Sequence, residues 1–210
     1  ALTTGSDNVA IGRASLTADD VGNKSTAVGV NTLSAQNYST STDSYNVAVG
    51  YSAGTAITTG TNNTLIGALT GDAITDGSNN VATGLGALTA DTRGSYTVAI
   101  GRGTLEAQNF TSATEVWNVA VGGFAGRNVT TGIQNTLIGG LAGDALSDAD
   151  FNVAIGQQAL TSDTQGSRST AVGRAALSSQ NFTSATDSYN TAVGFNAGVA
   201  VTTGTGNTLI

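Results

Sequence analysis

A five-residue phrase of the form Asn-Val-Ala-Ile-Gly recurs twelve times in this chain, beginning at residues 8, 25, 46, 63, 80, 97, 118, 135, 152, 169, 190 and 207. The intervals run 17, 21, 17, 17, then the same four again, then 17, 21, 17, so one cycle is 72 residues and Asn8, Asn80 and Asn152 hold equivalent places. Self-similarity at a fixed short period is the signature of a solenoid, in which each repeat buries its apolar face only against the next. The expected fold is all-β: a parallel β-solenoid of about twelve coils, one continuous array over residues 1–210. Ala1–Asp7 align with Ala73–Asn79 and with Ala145–Phe151, and Ile210 stops one residue short of the phrase's glycine, so the array is expected to be a fragment of a longer one.

The phrase reads as physical chemistry position by position. Its second residue is Val or Thr throughout, and its fourth is Ile or Val everywhere except Thr83. β-branched residues two apart specify a strand. Between them stands Ala, or Leu at Leu65, Leu137 and Leu209, and no charge occupies these three positions in any copy. A strand apolar on both faces is buried on both, yet only one face can point into a coil. The expectation is that the alanines and leucines lie on the outer side, sheltered by neighbouring copies of the chain. The first position is Asn in nine copies, with Ser25, Thr97 and Ser169 as exceptions; stacked identical amides predict a coil-to-coil hydrogen-bonded ladder. The fifth is Gly in all eleven complete copies, a residue suited to positive φ and close backbone approach at a corner. The repeat is thus defined by Asn8 and Gly12, Asn46 and Gly50, Asn63 and Gly67, Asn80 and Gly84, Asn118 and Gly122, Asn135 and Gly139, Asn152 and Gly156, and Asn190 and Gly194.

A second corner is marked by Gly22, Gly60, Gly77, Gly94, Gly132, Gly166 and Gly204, each ten residues after a phrase glycine, with Ala149 breaking the pattern. A weaker second strand is expected between the corners. Four residues after the phrase glycine, two coils per cycle carry leucine (Leu16, Leu33; Leu88, Leu105; Leu160, Leu177) and the others glycine (Gly54, Gly71; Gly126, Gly143). Where leucine is lost, an aliphatic residue appears three places later (Ile57, Ile74, Val129, Leu146, Val201), against Asp or Gln in the leucine coils. Close-packed interiors penalise voids and overpacking alike, so this exchange predicts one core filled from two backbone positions.

The 21-residue interval carries the decoration of each cycle. Tyr38, Phe110 and Phe182 follow a Gln-Asn pair, and Tyr45, Trp117 and Tyr189 follow an acidic residue two places before. Two readings stand side by side. These aromatics are ligand or interface residues that present ring faces to a host glycan, or they staple each four-residue bulge to its coil or to a neighbouring chain.

Composition excludes several classes. The chain has no His and no Cys, which removes Ser-His, Cys-His and His- or thiolate-metal chemistry. The carboxylate pairs Asp19 with Asp20, Asp72 with Asp76, and Asp148 with Asp150 all fall near predicted corners, where solvated turn formers are the expectation. No enzyme activity, cofactor or metal is expected. A net charge of −7 disfavours nucleic acid and anionic membrane surfaces as partners. No run approaches the apolar length of a membrane span.

Asn8-Val9-Ala10-Ile11-Gly12 and Asn118-Val119-Ala120-Val121-Gly122 resemble the repeat of YadA-like trimeric adhesin heads. The stretch Tyr51-Ser52-Ala53-Gly54 through Thr58-Thr59-Gly60-Thr61-Asn62-Asn63-Thr64-Leu65-Ile66-Gly67 is similar to bacteriophage tail-fibre repeats. The resemblance implies a homotrimer on a virion or outside the cell: a structural shaft that positions a receptor-binding part. The alternatives are an adhesin head that binds a host surface glycan or receptor, or a self-assembling extracellular filament.

Overall fold

A computed structural model describes residues 4–210; the start of the Ala1–Asp7 alignment lies outside the described residues. The fold is an all-β parallel β-solenoid of about twelve turns, and no helix occurs among the described residues. The chain divides into two compact units, Ala1–Thr97 with Asn109–Glu115, and Val98–Gln108 with Val116–Ile210. In the first unit Val9–Ile11, Thr26–Val28, Val47–Val49, Thr64–Ile66 and Val81–Thr83 pair in parallel, each with the next. In the second, Val98–Ile100, Val119–Val121, Thr136–Ile138, Val153–Ile155, Thr170–Val172, Thr191–Val193 and Thr208–Leu209 do the same. Every pairing sets phrase position against phrase position, for example Ala48 opposite Leu65 and Leu137 opposite Ala154.

The two faces are the reverse of the sequence expectation. Ala27, Ala48, Leu65, Ala82, Ala99, Ala120, Leu137, Ala154, Ala171 and Ala192 are completely buried inside the coil. The β-branched residues face outward and are half-exposed or exposed. The reason is volume. The coil is narrow behind the strand, and a leucine fits there only where glycine stands opposite. Leu65 carries its Cδ atoms to where a Cβ on Gly54 or on Gly71 would lie, 2.9 Å from each. Leu137 does the same against Gly126 and Gly143, at 2.7 Å. The exchange of volume read from the sequence is therefore real. Ile57, Ile74, Val129 and Leu146 are fully buried beside those glycines, and Leu33, Leu88, Leu105, Leu160 and Leu177 are fully buried in the other coils.

Among the described residues the expected second strand is absent. Between the corners the backbone is a run of turns, because left-handed residues recur there at every second position: Asn31 and Leu33, Ser52 and Gly54, Gln158 and Leu160, all with φ between 47° and 58°. An extended strand cannot contain them. Coil-to-coil bonds persist nonetheless, such as Leu33 N–H to Ala53 O at 3.2 Å and Gly54 N–H to Thr70 O at 3.0 Å. Short two-residue ladders form only near the second corner, Gly22–Asn23 with Thr42–Asp43, Gly94–Ser95 with Thr114–Glu115, and Gly166–Ser167 with Thr186–Asp187.

The asparagine column does more than stack amides. Each Nδ2 crosses its own coil to the carbonyl of the second corner: Asn46 to Gly60, Asn80 to Gly94 and Asn152 to Gly166, at 2.8–2.9 Å. Each Oδ1 accepts the backbone N–H of the next coil's first phrase residue, as Asn46 does from Asn63 and Asn152 from Ser169. One side chain thus closes its coil and locks the register of the next. Direct amide-to-amide bonds occur as well, Asn63 to Asn46 and Asn207 to Asn190. Asn135 Nδ2 reaches the carbonyl of Ala149 at 2.8 Å, so the bond to the second corner is kept where alanine replaces glycine.

Asp19 is fully buried, contrary to the expectation of a solvated turn, and so are Asp91 and Asp163 at the equivalent places. Asp163 accepts from Gly166 N–H at 3.0 Å, Phe182 N–H at 3.0 Å and Gln180 Nε2 at 2.5 Å. Gln180 also donates to Ser169 Oγ and accepts from Asn190 Nδ2, while Ser169 and Ser188 share a short hydroxyl contact. Asp19, Gln36, Ser25, Ser44 and Asn46 build the same network one unit earlier. Buried polar groups are tolerated when each finds a partner, and among the described residues no buried side-chain nitrogen or oxygen lacks one.

Candidate functional site: an uncharged strand face bordered by an aromatic column

The outward face of the stacked strands is two columns wide, Val or Thr in one and Ile or Val in the other, with Thr83 as the exception. Within the first unit Ile66 is 41% exposed and Val81 37%; within the second, Ile100 is 39% and Ile138 37%. No charged side chain interrupts either column. An uncharged, largely apolar surface repeated from coil to coil marks an interaction site more often than a solvated one, and parallel sheets are ordinarily covered on both faces.

One border of this face is set by the residue immediately before each phrase. Lys24, Tyr45, Asn62, Asn79 and Tyr96 hold that place in the first unit, and Trp117, Gln134, Phe151, Arg168 and Tyr189 in the second, all with φ between 50° and 62°. Several donate their N–H to the preceding coil, as Asn62 does to Ser44 O and Phe151 to Ile133 O, so the side chains rise one above another. Around Tyr45, the Lys24 ammonium bonds Asp43 at 2.6 Å and lies 5.2 Å from the ring centroid. That bond holds the Asp43 carboxyl below its ordinary range and raises Lys24 above its own. Around Tyr189, Arg168 bonds Asp187 at 3.0 Å, the Tyr189 hydroxyl donates to Asp187 at 3.2 Å, and the guanidinium stacks 4.6 Å over the Phe151 ring.

The six aromatics singled out from the sequence separate into two groups. Tyr45, Trp117 and Tyr189 lie in the exposed column, Trp117 with 49% of its surface open. Tyr38, Phe110 and Phe182 are 5–7% exposed and pack under the bulge of each 21-residue coil; they are interior, with no ring face for a ligand. Tyr38 OH donates to Gly60 O at 2.7 Å, and burial, with the Asp19 charge nearby, pushes its phenol up to about 12. Among the acidic pairs, Asp19 is buried in the network above, Asp72 accepts from Thr89 Oγ1, Asp76 pairs with Arg93 at 3.4 Å, and Asp150 accepts Ile133 N–H at 2.8 Å. Each is held by turn or coil-to-coil bonds.

Sequence reasoning missed Phe151, Gln134 and Arg168 as members of the column. The signal was present: each immediately precedes a phrase, in the place of Tyr45. No protein-family model, curated protein or solved structure matches the chain.

Proposed function

We propose that this chain is a structural segment of a homotrimeric surface fibre, a shaft on a virion or outside the cell that carries a receptor-binding part away from its base. The observation that supports it is the uncharged, β-branched outward face running from strand to strand in each unit. Exposed apolar surface in a regular two-residue-wide stripe is a standing template for association. Three copies around an axis parallel to the stacking direction would bury it in the same way on successive coils, since a closed ring uses the same contact for each subunit. The number three comes from the resemblance to trimeric adhesin heads and tail fibres, and the placement outside the cell from the same source. The interior adds to the reading: within each unit, asparagines close coils and key them to the next, an assembly suited to bearing load along the stack.

Sedimentation equilibrium at micromolar protein tests the proposal. The expected mass is three times the 20.6 kDa of one chain. A stable monomer at that concentration overturns it.

A further inference from the structure

At one phrase in each 72-residue cycle, aromatic residues stand on both borders of the strand face. In the first unit Tyr45 precedes the phrase of Asn46 and Tyr51 follows it, 50% and 56% exposed. In the second, Tyr189 and Phe195 flank the phrase of Asn190, 59% and 68% exposed. The phrase of Asn118 has the same plan with its second ring one place later, Trp117 before it and Phe124 after. The strand and its flanking turns hold the two borders roughly 15–20 Å apart at about 3.3 Å per residue, beyond the reach of one ring to the other within a chain. We propose that each pair is completed between copies of this chain: the ring before the phrase packs against the ring after the same phrase on the neighbouring copy, and this clasp fixes the height at which the copies stand. The inference rests on the closed ring of copies proposed above.

Symmetry supplies the first argument. Around an axis parallel to the stacking direction, copies meet at equal height, and the border before a phrase on one copy meets the border after the same phrase on the next. A foreign partner lying along one border gives no reason for the other to change on the same coil, whereas a second copy does. The borders also match in charge at the phrase of Asn8, where Asp7 precedes and Arg13 follows, both exposed. At the phrase of Ser169 both borders carry arginine, and each guanidinium is engaged within its own chain. Arg168 bonds Asp187 at 3.0 Å, and Arg174 bonds Gln157 Oε1 at 3.4 Å and lies 5.6 Å from the Phe195 ring. That contact, like the one between Lys24 and Tyr45, leaves half or more of the aromatic residue open. The second argument is register. Because the apolar stripe repeats on every coil, copies that slip by one coil, about 4.8 Å, bury nearly the same surface, so the stripe alone does not set their height. Such a slip puts Tyr45 opposite Val30 or Ala68 in place of Tyr51. Aromatics face aromatics again only after a slip of four coils, one whole cycle, at the loss of four coils of contact. A feature that occurs once per cycle on a uniform seam specifies register, as a single distinctive residue does in a coiled coil. Finally, the fold itself does not call for these rings: the next coil carries Asn62 and Ala68 at the places of Tyr45 and Tyr51.

A double-mutant cycle on the intact chain tests the clasp, read as the protein concentration at which the assembly is half dissociated in sedimentation of fluorescently labelled protein. Tyr45→Asn and Tyr51→Ala install residues that the same backbone carries one coil later, so the coil is preserved, and unchanged far-ultraviolet circular dichroism checks this. Each is expected to raise the half-dissociation concentration about fivefold. Together they are expected to raise it at least about threefold less than the product of the two single effects. Residues so far apart in one chain act independently, so this shortfall reports a contact made through the neighbouring copy. Tyr45→Asn combined with Leu85→Ala, on the far border two coils along, is expected to give the simple product. Independent effects of Tyr45→Asn and Tyr51→Ala in a protein that is trimeric overturn the clasp and leave the trimer standing. Equal coupling of Tyr45→Asn to Leu85→Ala overturns the assignment of register. Coupling between Tyr45 and Tyr51 in a ring of another subunit number upholds the clasp and overturns the number three alone, whereas a parent chain that is monomeric at micromolar concentration overturns both.

Discussion

Gly122 and Gly123 are neighbours with different tasks. At Gly122 φ is 131°, and an added Cβ would sit 2.6 Å from the carbonyl carbon of Gly139 in the next coil. At Gly123 nothing lies within 4 Å and φ is unexceptional. Gly122→Ala is therefore expected to lower the urea-unfolding free energy by at least about 2 kcal/mol, and Gly123→Ala to change it by less than about 1 kcal/mol; similar losses for both would refute the stacking account of the corner. Tyr38 offers a second test at this scale. Its phenol sits near 12 in the fold against about 10 in an unfolded chain. The folded state then holds its proton more tightly, so the stability Tyr38 confers is complete below about pH 10 and declines as pH rises toward 12. Tyr38→Phe, the residue type found at Phe110 and Phe182, is expected to remove that part of the alkaline loss, read as a smaller drop in urea midpoint between pH 9.5 and 11.5, roughly 2 kcal/mol at most. Such residues differ in how plainly the sequence shows them. An invariant glycine is legible because nothing else tolerates the conformation. A buried aspartate is not, because Asp at a turn is ordinarily solvated, and only the Asp163–Gln180 bond formed across 17 residues reveals otherwise.

The strand itself was readable from its β-branched pair, but the face it turns inward was not. Both faces are apolar, and hydrophobicity alone cannot separate a narrow interior from an outer stripe; the size of the residue does, since the interior behind each Ala is already filled by buried side chains such as Leu33 and Ile57. The turn side was misread for a related reason. Alternating apolar residues such as Leu33 and Ala35 mimic a strand, while the left-handed φ of 47° at Leu33 has no compositional mark. What the sequence did show was the exchange of volume, and it makes a sharp prediction. Leu65→Ala empties the space that Leu65 fills against Gly54 and Gly71, with an expected loss of about 3–5 kcal/mol. Gly54→Ala in the parent chain places a Cβ 2.9 Å from Leu33 and Leu65 side chains and is destabilising as well. Combined, the two are expected to cost at least about 1 kcal/mol less than their sum, because the second methyl occupies the void left by the first change. Strict additivity in a double-mutant cycle would mean that the leucine and the glycine do not share one cavity.

Association is where the whole molecule is tested, because its interior is already satisfied within each coil while its outward strand face is not. Ile138 stands on that face, 37% exposed and flanked in register by Val121 and Ile155. In a lone chain a glutamate there reaches water easily, so Ile138→Glu should leave the coil intact. In a trimer the same change puts three carboxylates into an apolar contact, where unpaired charge is costly to bury. The expected outcome is a fall in sedimentation mass toward 20.6 kDa with the far-ultraviolet circular dichroism unchanged, while Ser112→Glu, on the exposed bulge, keeps the parent mass. An interface of this composition has little charge to screen, so the parent assembly should also hold its mass between low and high salt. Were Ile138→Glu to sediment as the parent does, the stripe would not be the contact, and association would have to run through another surface such as the aromatic column. Were the mass to fall but the dichroism with it, the strand face would be acting within the coil, and the inference from an apolar outer face to a fibre would lose its ground.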